Sequence, residues 1–473
     1  MKKIIIVGAG VAGRLLKSDI ESGDDKNELS VIGFIDDAVG TGVIGRFADI
    51  PKILDTSDID ELVIALPSER GKVIRKVLLH KSEYPNVHIK ILPRATDVVV
   101  GGEVSYSMVR SLDLTDIVGE RLDRRMHEEI AGEIKDKVVM ITGGGGSIGS
   151  EIVKQIFLAA PKKVIIIDSC ELNLFDISNS IERLQHNSPQ STTEFVLGNV
   201  LNTALMDRLF AHNNIDYIFH AAAYKHVPIV EVNAYEGLAN NFYATYQLAE
   251  LAQKYKVPKF ILISTDKAVK PLNIMGKSKR LAELAVQYFD GLVLDSGIFT
   301  SVRFGNVFNS SGSAVQLFQN QLNTDNSLVI TDSRMTRFFM TIPEAVNLVL
   351  QTAIIAEKGK TYMLEMGDPV GIEELAKCIA VLKGKRLSDI TVKYSGLRPG
   401  EKLEEELFDK SNEERKSTKN HRIFAITNKS NQQSSVEFGV LKEKLINSLR
   451  KEYVQNHSEK GVLELVSYLS DLS

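Results

Sequence analysis

Cysteine is nearly absent: Cys170 and Cys378 are the only two in 473 residues. Two thiols cannot build a disulfide framework, and no Cys, His and acidic set stands at metal-ligand spacing, so a reducing compartment and no bound metal are expected. An excess of one charge is missing too. Lys and Arg number 57 against 61 Asp and Glu, a net charge of −4, which gives no basic field to collect nucleic acid or an anionic membrane. No apolar run reaches the ~18 residues needed to cross a bilayer. The sequence passes from Lys2-Lys3 straight into a strand-like run, without the make-up of a signal peptide. These absences predict a soluble, cytoplasmic protein that handles small molecules, and 473 residues predict at least two domains.

The most informative segment present is TGGGGSIGSE (142–151), directly after the apolar run Val138-Val139-Met140-Ile141. Gly143, Gly146 and Gly149 have GxxGxxG spacing. Glycine there allows a tight turn, close approach to a pyrophosphate and close helix packing, while the helix amino end, with Ser147 and Ile148, faces the phosphates. The next run, Val164-Ile165-Ile166-Ile167, ends at Asp168, an acid roughly where a dinucleotide site grips the adenosine ribose hydroxyls. A carboxylate there repels a 2′-phosphate, so NAD is the expected cofactor. NADP stays open because the basic Arg183 follows.

A second glycine loop opens the chain, where Ile4-Ile5-Ile6-Val7 leads into GAGVAG, with Gly8, Gly10 and Gly13 in GxGxxG spacing. Asp36-Asp37 follows the next strand-like run, either as a ribose ligand or as a solvated turn. Runs at 31–35, 61–65 and 88–92 alternate with helical stretches, giving a small Rossmann-like, nucleotide-binding-like domain over residues 1–125. Residues 122–137 read as a connecting helix. A larger unit over 126–410 has strand-like runs at 138–141, 164–167, 193–197, 217–219, 260–264 and 300–302, then shorter segments that suit a substrate lid. Residues 411–473 form a polar tail with two helical stretches. The expected fold is α/β: two Rossmann-like doubly wound parallel-sheet domains, the second with a smaller C-terminal substrate-binding lid.

In such sheets ligands sit outside the carboxyl ends of the strands. The run Ile261-Leu262-Ile263 ends in Ser264-Thr265-Asp266-Lys267, so Thr265, Asp266 and Lys267 are candidates for proton transfer. Met275 and Lys279 are four apart, one face of one helical turn, and Lys279 suits the nicotinamide ribose hydroxyls.

These motifs, with FHAAAYKHVPIVE (219–231), Asn240-Asn241, STDKAV (264–269), NIMGKSKRLAE (273–283), RFGNVFNSSGS (303–313), MTRFFMTIPEA (335–345) and GLRPGEKLEEEL (396–407), carry a resemblance. Over roughly residues 125–410 the chain resembles the extended short-chain dehydrogenase/reductase superfamily, and within it the large, retaining UDP-N-acetylglucosamine 4,6-dehydratases of bacterial polysaccharide biosynthesis. Those enzymes carry an extra amino-terminal Rossmann-like domain, usually preceded by membrane helices. This sequence contains no such helices, which suits either a soluble member or a shortened one.

The resemblance implies that Asn199, Val200, Ala221, Ala222 and Ala223 border the cofactor, with Asn199 where relatives often have an aspartate against the adenine. It implies Tyr224, Lys225, His226 and Asn241 beside the substrate, His226 for packing or hydrogen bonding rather than as a base. Arg303, Asn306, Arg337, Arg398, Glu401 and Lys402 fall in segments that relatives use on the nucleotide and diphosphate, where a guanidinium fork suits phosphate oxygens. Each arginine has a structural ion pair as its alternative. One departure is chemical: the superfamily's YxxxK has Met275 in place of tyrosine, and a thioether carries no acidic proton. The large dehydratases share this change, and proton transfer then falls to Asp266 and Lys267. The implied reaction oxidises the sugar at C4, eliminates water across C5 and C6 and returns the hydride to C6, giving a UDP-2-acetamido-2,6-dideoxy-4-keto-hexose. A homo-oligomer with a UDP-sugar as partner is expected. The rival functions are a UDP-sugar 4-epimerase or other reductase of the same fold, and a non-enzymatic NAD(P)-binding sensor.

Overall fold

A computed structural model describes residues 1–23, 27–66, 70–93, 104–119, 121, 127–185, 191–293, 297–429, 438, 442–447, 449 and 464. The chain divides into two compact units. One comprises Met1–Arg121, Phe308–Thr341 and Pro369–Leu397; the other comprises Leu122–Val307, Ile342–Asp368 and Arg398–Ser473.

The first unit is built on strands β1 (Lys2–Val7), β2 (Leu29–Ile35), β3 (Val43–Gly45), β4 (Glu61–Ile64), β5 (His88–Ile91) and β6 (Arg110–Ser111), in the order β3-β2-β1-β4-β5-β6. All pairings are parallel except that of β6. The GAGVAG loop turns at Gly8, whose φ of +112° is open only to glycine. Asp36 Oδ2 accepts the Ala9 N–H at 2.8 Å, which uses one member of the acidic pair to shape the loop. Residues 308–341 and 369–397, expected within the larger domain over 126–410, pack in this unit; of the segments read as a lid, GDPVGIEELAKCIA (367–380) falls mostly here, while 343–356 and most of GLRPGEKL (396–403) belong to the other unit. Phe318, Leu322 and Leu328 from 308–341 and Leu375 and Ile379 from 369–397 share one buried cluster with Ile5, Val7, Leu62 and Ile64. Arg75 Nε to Glu374 Oε1, 3.1 Å, adds a polar tie.

The second unit begins with β7 (Val138–Thr142), β8 (Lys163–Asp168), β9 (Thr192–Leu197), β10 (Tyr217–His220), β11 (Lys259–Ile263) and β12 (Ile298–Arg303). Strands β7, β8, β10 and β11 read as near-continuous apolar runs because a parallel sheet is covered on both faces. The nine-stranded order, from one edge, is Glu413–Ser417, Ile423–Asn428, Thr361–Leu364, β12, β11, β10, β7, β8, β9. The chain winds outward from β7 through β8 to β9, then returns to β10 on the other side of β7. The switch point therefore lies between β7 and β10, and loops after both strands flank it. Helices Ala244–Lys254 and Ile274–Leu292 cover one face through Leu248, Ala252, Leu281 and Ala285.

The stretch after residue 410 corrects the reading of it as a polar, helical tail. Glu413–Ser417 and Ile423–Asn428 form an antiparallel hairpin that completes the sheet, with Thr361–Leu364 as the neighbour of Ile423–Asn428. The edge strand EERKS hid this because it has no apolar residue; only its first residue, Glu413, is buried, in an ion pair described below. The two helical stretches expected near the end, and residues 122–126 of the connecting helix, fall largely outside the described residues, whereas His127–Ile134 is helical. Among the described residues, no helix is long and apolar enough to cross a membrane.

Candidate active site

Backbone contact defines the glycine loop. Gly143 has φ +66°, and a Cβ on it would lie 2.7 Å from Ala222 N; a Cβ on Gly149 would lie 2.0 Å from Gly143 O. The helix Ser147–Leu158 can thus sit hard against the turn, and the loop against the segment after β10. Gly146 is the N-cap and no side chain caps the helix, while a Cβ on Gly146 would meet only Gly143 O, at 3.3 Å. The amino end, with half-buried Ser147 and Ile148, carries the positive end of the helix dipole. Asp168 shapes the loop from β8: Oδ2 accepts Gly145 N–H and Oδ1 accepts Cys170 N–H, both at 2.9 Å. Each carboxylate oxygen has a second lone pair, which leaves acceptors for ribose hydroxyls. Asn199 is exposed with Oδ1 on Leu201 N–H at 2.8 Å, and Val200 is buried in the core.

Across the switch point, Ala221 N–H donates to Thr142 O at 3.0 Å and starts the Ala221-Ala222-Ala223 segment. Tyr224, Lys225 and His226 follow, all exposed. Asn241, expected against substrate, is instead fully buried. It accepts Tyr224 N–H at 2.7 Å, donates to Tyr224 O at 2.9 Å and to Ser278 Oγ at 3.0 Å. Its carboxamide is spent on fixing the Tyr224 backbone to the helix Ile274–Leu292. It lies in a π-helical turn, Ala239–Tyr243, a local irregularity common at functional sites. His220 was missed by the sequence reading. Its ring is buried between two hydroxyls, Thr142 Oγ1 at 2.6 Å from Nδ1 and Thr245 Oγ1 at 2.8 Å from Nε2.

The carboxyl end of β11 brings together Thr265, Asp266 and Lys267. Thr265 caps a three-residue 3₁₀ turn, Asp266–Ala268, and its hydroxyl donates to Asp266 Oδ1 at 2.8 Å. Lys267 Nζ donates to the same oxygen at 3.0 Å and to Asn306 Oδ1 at 3.4 Å. Asp266 is fully buried, and its other oxygen, Oδ2, makes no hydrogen bond. Gly276 lets the following helix press on this turn, since a Cβ there would lie 2.3 Å from Lys267 O. Lys279 is buried with Nζ on Ile263 O at 2.7 Å; burial lowers its pKa to about 8, with Glu283 pulling the other way. Met275, one turn earlier, packs in the apolar core.

The expected diphosphate-binding cations have different surroundings. Arg303 is a correction: only 1% exposed, its Nε and Nη2 bond both oxygens of Glu283 at 2.8 and 2.7 Å, and its Nη1 bonds Glu413 at 2.9 and 3.0 Å. Such a guanidinium has no fork left for phosphate. Against the burial that would raise it, Arg303 holds the Glu283 carboxyl at about 2. Arg398 is exposed, with its backbone N–H on Glu401 Oε2 at 3.1 Å, and Lys402 donates to Val269 O at 2.9 Å. Arg337 belongs to the first unit, on the short strand Thr336–Arg337 paired with Val370–Gly371.

Comparison with known proteins agrees with this architecture. A family of polysaccharide biosynthesis proteins matches residues 139–428. The capsular polysaccharide biosynthesis protein CapD of Staphylococcus aureus is 34% identical over 465 residues, 95% of this chain and 75% of its own length. A UDP-glucose 4-epimerase of Rickettsia bellii is 34% identical over 338 residues, 71% of this chain and 95% of its own. Among solved structures, Pen from Bacillus thuringiensis superposes with a TM-score of 0.56 at 31% identity, covering 63% of this chain and 90% of Pen.

Proposed function

The chain belongs to the polysaccharide biosynthesis protein family, within the extended short-chain dehydrogenase/reductases, and from that premise we propose that it is a nucleotide-sugar 4,6-dehydratase acting on UDP-N-acetylglucosamine. One observation carries the choice: the buried, unbonded Oδ2 of Asp266, beside Lys267 at the end of β11. A buried carboxylate oxygen without a partner costs stability, and such an atom is kept where chemistry uses it. Elimination of water needs an acid for the departing C6 hydroxyl and a base for the C5 proton, which a C4 ketone makes acidic. Asp266 holds the proton for the hydroxyl, and Lys267 takes the one from C5. Thr265, bonded to Asp266 Oδ1, fixes the carboxylate and leaves Oδ2 as the oxygen for the reacting sugar.

The helix amino end at Gly146, capped by no side chain, the close-packed turn at Gly143 and Gly149 and the ribose acceptor Asp168 fit NAD, with Lys279 on the nicotinamide ribose. When bound, the dinucleotide supplies a reversible hydride acceptor. Asn306 and Lys402, which stand beside the catalytic turn, and the exposed Tyr224 and Arg398 border the UDP-sugar.

A 4-epimerase is the second reading, favoured by the identity with the Rickettsia enzyme. An epimerase leaves C5 and C6 untouched and has no use for the Asp266 and Lys267 pair. The purified chain incubated with UDP-N-acetylglucosamine separates the two by mass spectrometry. Loss of one water without net cofactor reduction is the dehydratase outcome; a product of unchanged mass with a new retention time is the epimerase outcome.

A further inference from the structure

Residues 400–413 are tied repeatedly to the catalytic turn and the segment behind it. Asn273 Nδ2 donates to Gly400 O at 3.0 Å, at a glycine with φ +78° whose Cβ would lie 2.9 Å from Asn273 Cβ. Lys402 Nζ reaches Val269 O at 2.9 Å, and Lys270 Nζ lies 3.0 Å from Glu406 and 3.3 Å from Asp409. The segment is rooted in the protein interior at Glu413, which takes two bonds from the buried Arg303 and accepts Asp409 N–H at 2.7 Å. Between these ties Glu405, its side chain only 5% exposed, brings Oε1 to 3.8 Å from Lys267 Nζ.

We propose that residues 400–413 form a strap whose Glu405 is a positioning residue for Lys267, holding its ammonium in place against Asp266. The proposal rests on the role given to Lys267 above. A lysine head on a four-carbon stem has many rotamers, and oxygens on several sides remove that freedom. Around Lys267 the turn itself contributes Asp266 Oδ1, the segment after β12 contributes Asn306 Oδ1, and the strap contributes Glu405. Of the other lysines nearby, Lys270 lies beside Glu406 and Asp409, Lys402 donates to Val269 O and Lys279 to Ile263 O. Glu405 is thus the second carboxylate beside the ammonium. Sharing the positive charge, it holds the ammonium from a second side beside Asp266 and stabilises the protonated lysine.

The test compares the pH dependence of kcat in wild type and Glu405→Gln. Removing the negative charge eases loss of the ammonium proton, so the limb that reports this group moves to lower pH by roughly one unit. With a misplaced lysine, kcat should fall about tenfold while KM stays within about twofold. Glu404→Gln, at an exposed position on the same strap, serves as control and should leave both unchanged. Glu405→Ala also removes the charge and carries the same expectation if the amide variant does not fold. A pH profile superimposable on wild type overturns the proposal whatever the rate, as does activity lost only in proportion to folded protein. If the wild type yields an epimer rather than the keto sugar, the same comparison made on epimerisation still decides Glu405, while the dehydratase assignment falls separately.

Discussion

Thr142 and His220, at the carboxyl ends of β7 and β10, stand opposite each other in register and bond at 2.6 Å across the switch point of the sheet. With Thr245 on the other ring nitrogen, the imidazole is held between two hydroxyls. Burial, and then the charge of Lys279, pushes its pKa down to about 3. Below the ordinary histidine value of about 6.5 an unfolded chain takes up a proton that the native ring refuses. Stability should therefore fall as pH drops from about 6.5 toward 3, with this one ring contributing up to about 1.4 kcal/mol per pH unit. The urea midpoint of wild type, followed over that range, should drop more steeply than that of His220→Gln. Parallel slopes would show that the ring takes up its proton in the native state.

Arg303 supports the sheet rather than the ligand, and its loss should be felt as stability. Arg303→Met leaves Glu283 and Glu413 buried without their cation, at a cost of about 3–5 kcal/mol. Adding Glu283→Gln and Glu413→Gln to the same protein should recover much of that loss, because the uncompensated charges are then gone. A single variant that melts like wild type would contradict the buried ion network.

Much of this architecture was legible in the sequence, and the rest fails for identifiable reasons. The apolar runs 138–141 and 164–167 could only be buried strands, and a glycine loop followed by Asp168 names its neighbours through short-range geometry. The strand β11 was legible as a buried apolar run, with Thr265, Asp266 and Lys267 at its carboxyl end. Arg303 misled because its partners, Glu283 and Glu413, lie 20 and 110 residues away. The hairpin strand Glu413–Ser417 was illegible for the same reason, being held by that ion pair without apolar alternation. His220 ends an apolar strand like any packing residue, and nothing local announces Thr142, 78 positions earlier. Asn241 carries the right residue type near the site, yet only the fold reveals that both ends of its amide are taken.

Cofactor preference should follow Asp168. A carboxylate already fixed by Gly145 and Cys170 N–H groups suits ribose hydroxyls and opposes a 2′-phosphate, so NAD should bind more tightly than NADP in direct titration. Asp168→Asn removes the charge and should narrow that preference roughly tenfold. Tighter binding of NADP by the wild type would count against the assignment.

Asp266→Asn and Lys267→Ala should each abolish formation of the keto sugar while NAD affinity, read by titration, stays near wild type. Neither side chain belongs to the glycine loop, and Glu405, the further carboxylate at the turn, lies 3.8 Å from Lys267 Nζ, beside the ammonium rather than in place of Asp266. Near-normal turnover in both variants would remove the pair from the mechanism.

Met275 offers the opposite expectation. Its side chain is 3% exposed in a core cluster with Leu281, Ala282 and Phe242, and a thioether fills space without transferring a proton. Met275→Ala should therefore destabilise the protein by about 2–5 kcal/mol through the cavity it leaves, yet retain measurable elimination at temperatures where it is folded. Tyrosine at this position is the superfamily's usual proton carrier, so the two possibilities separate cleanly. If Met275→Ala stays folded and binds both NAD and the UDP-sugar but forms no keto product, then the side chain takes part in the chemistry, and proton transfer cannot rest on Asp266 and Lys267 alone.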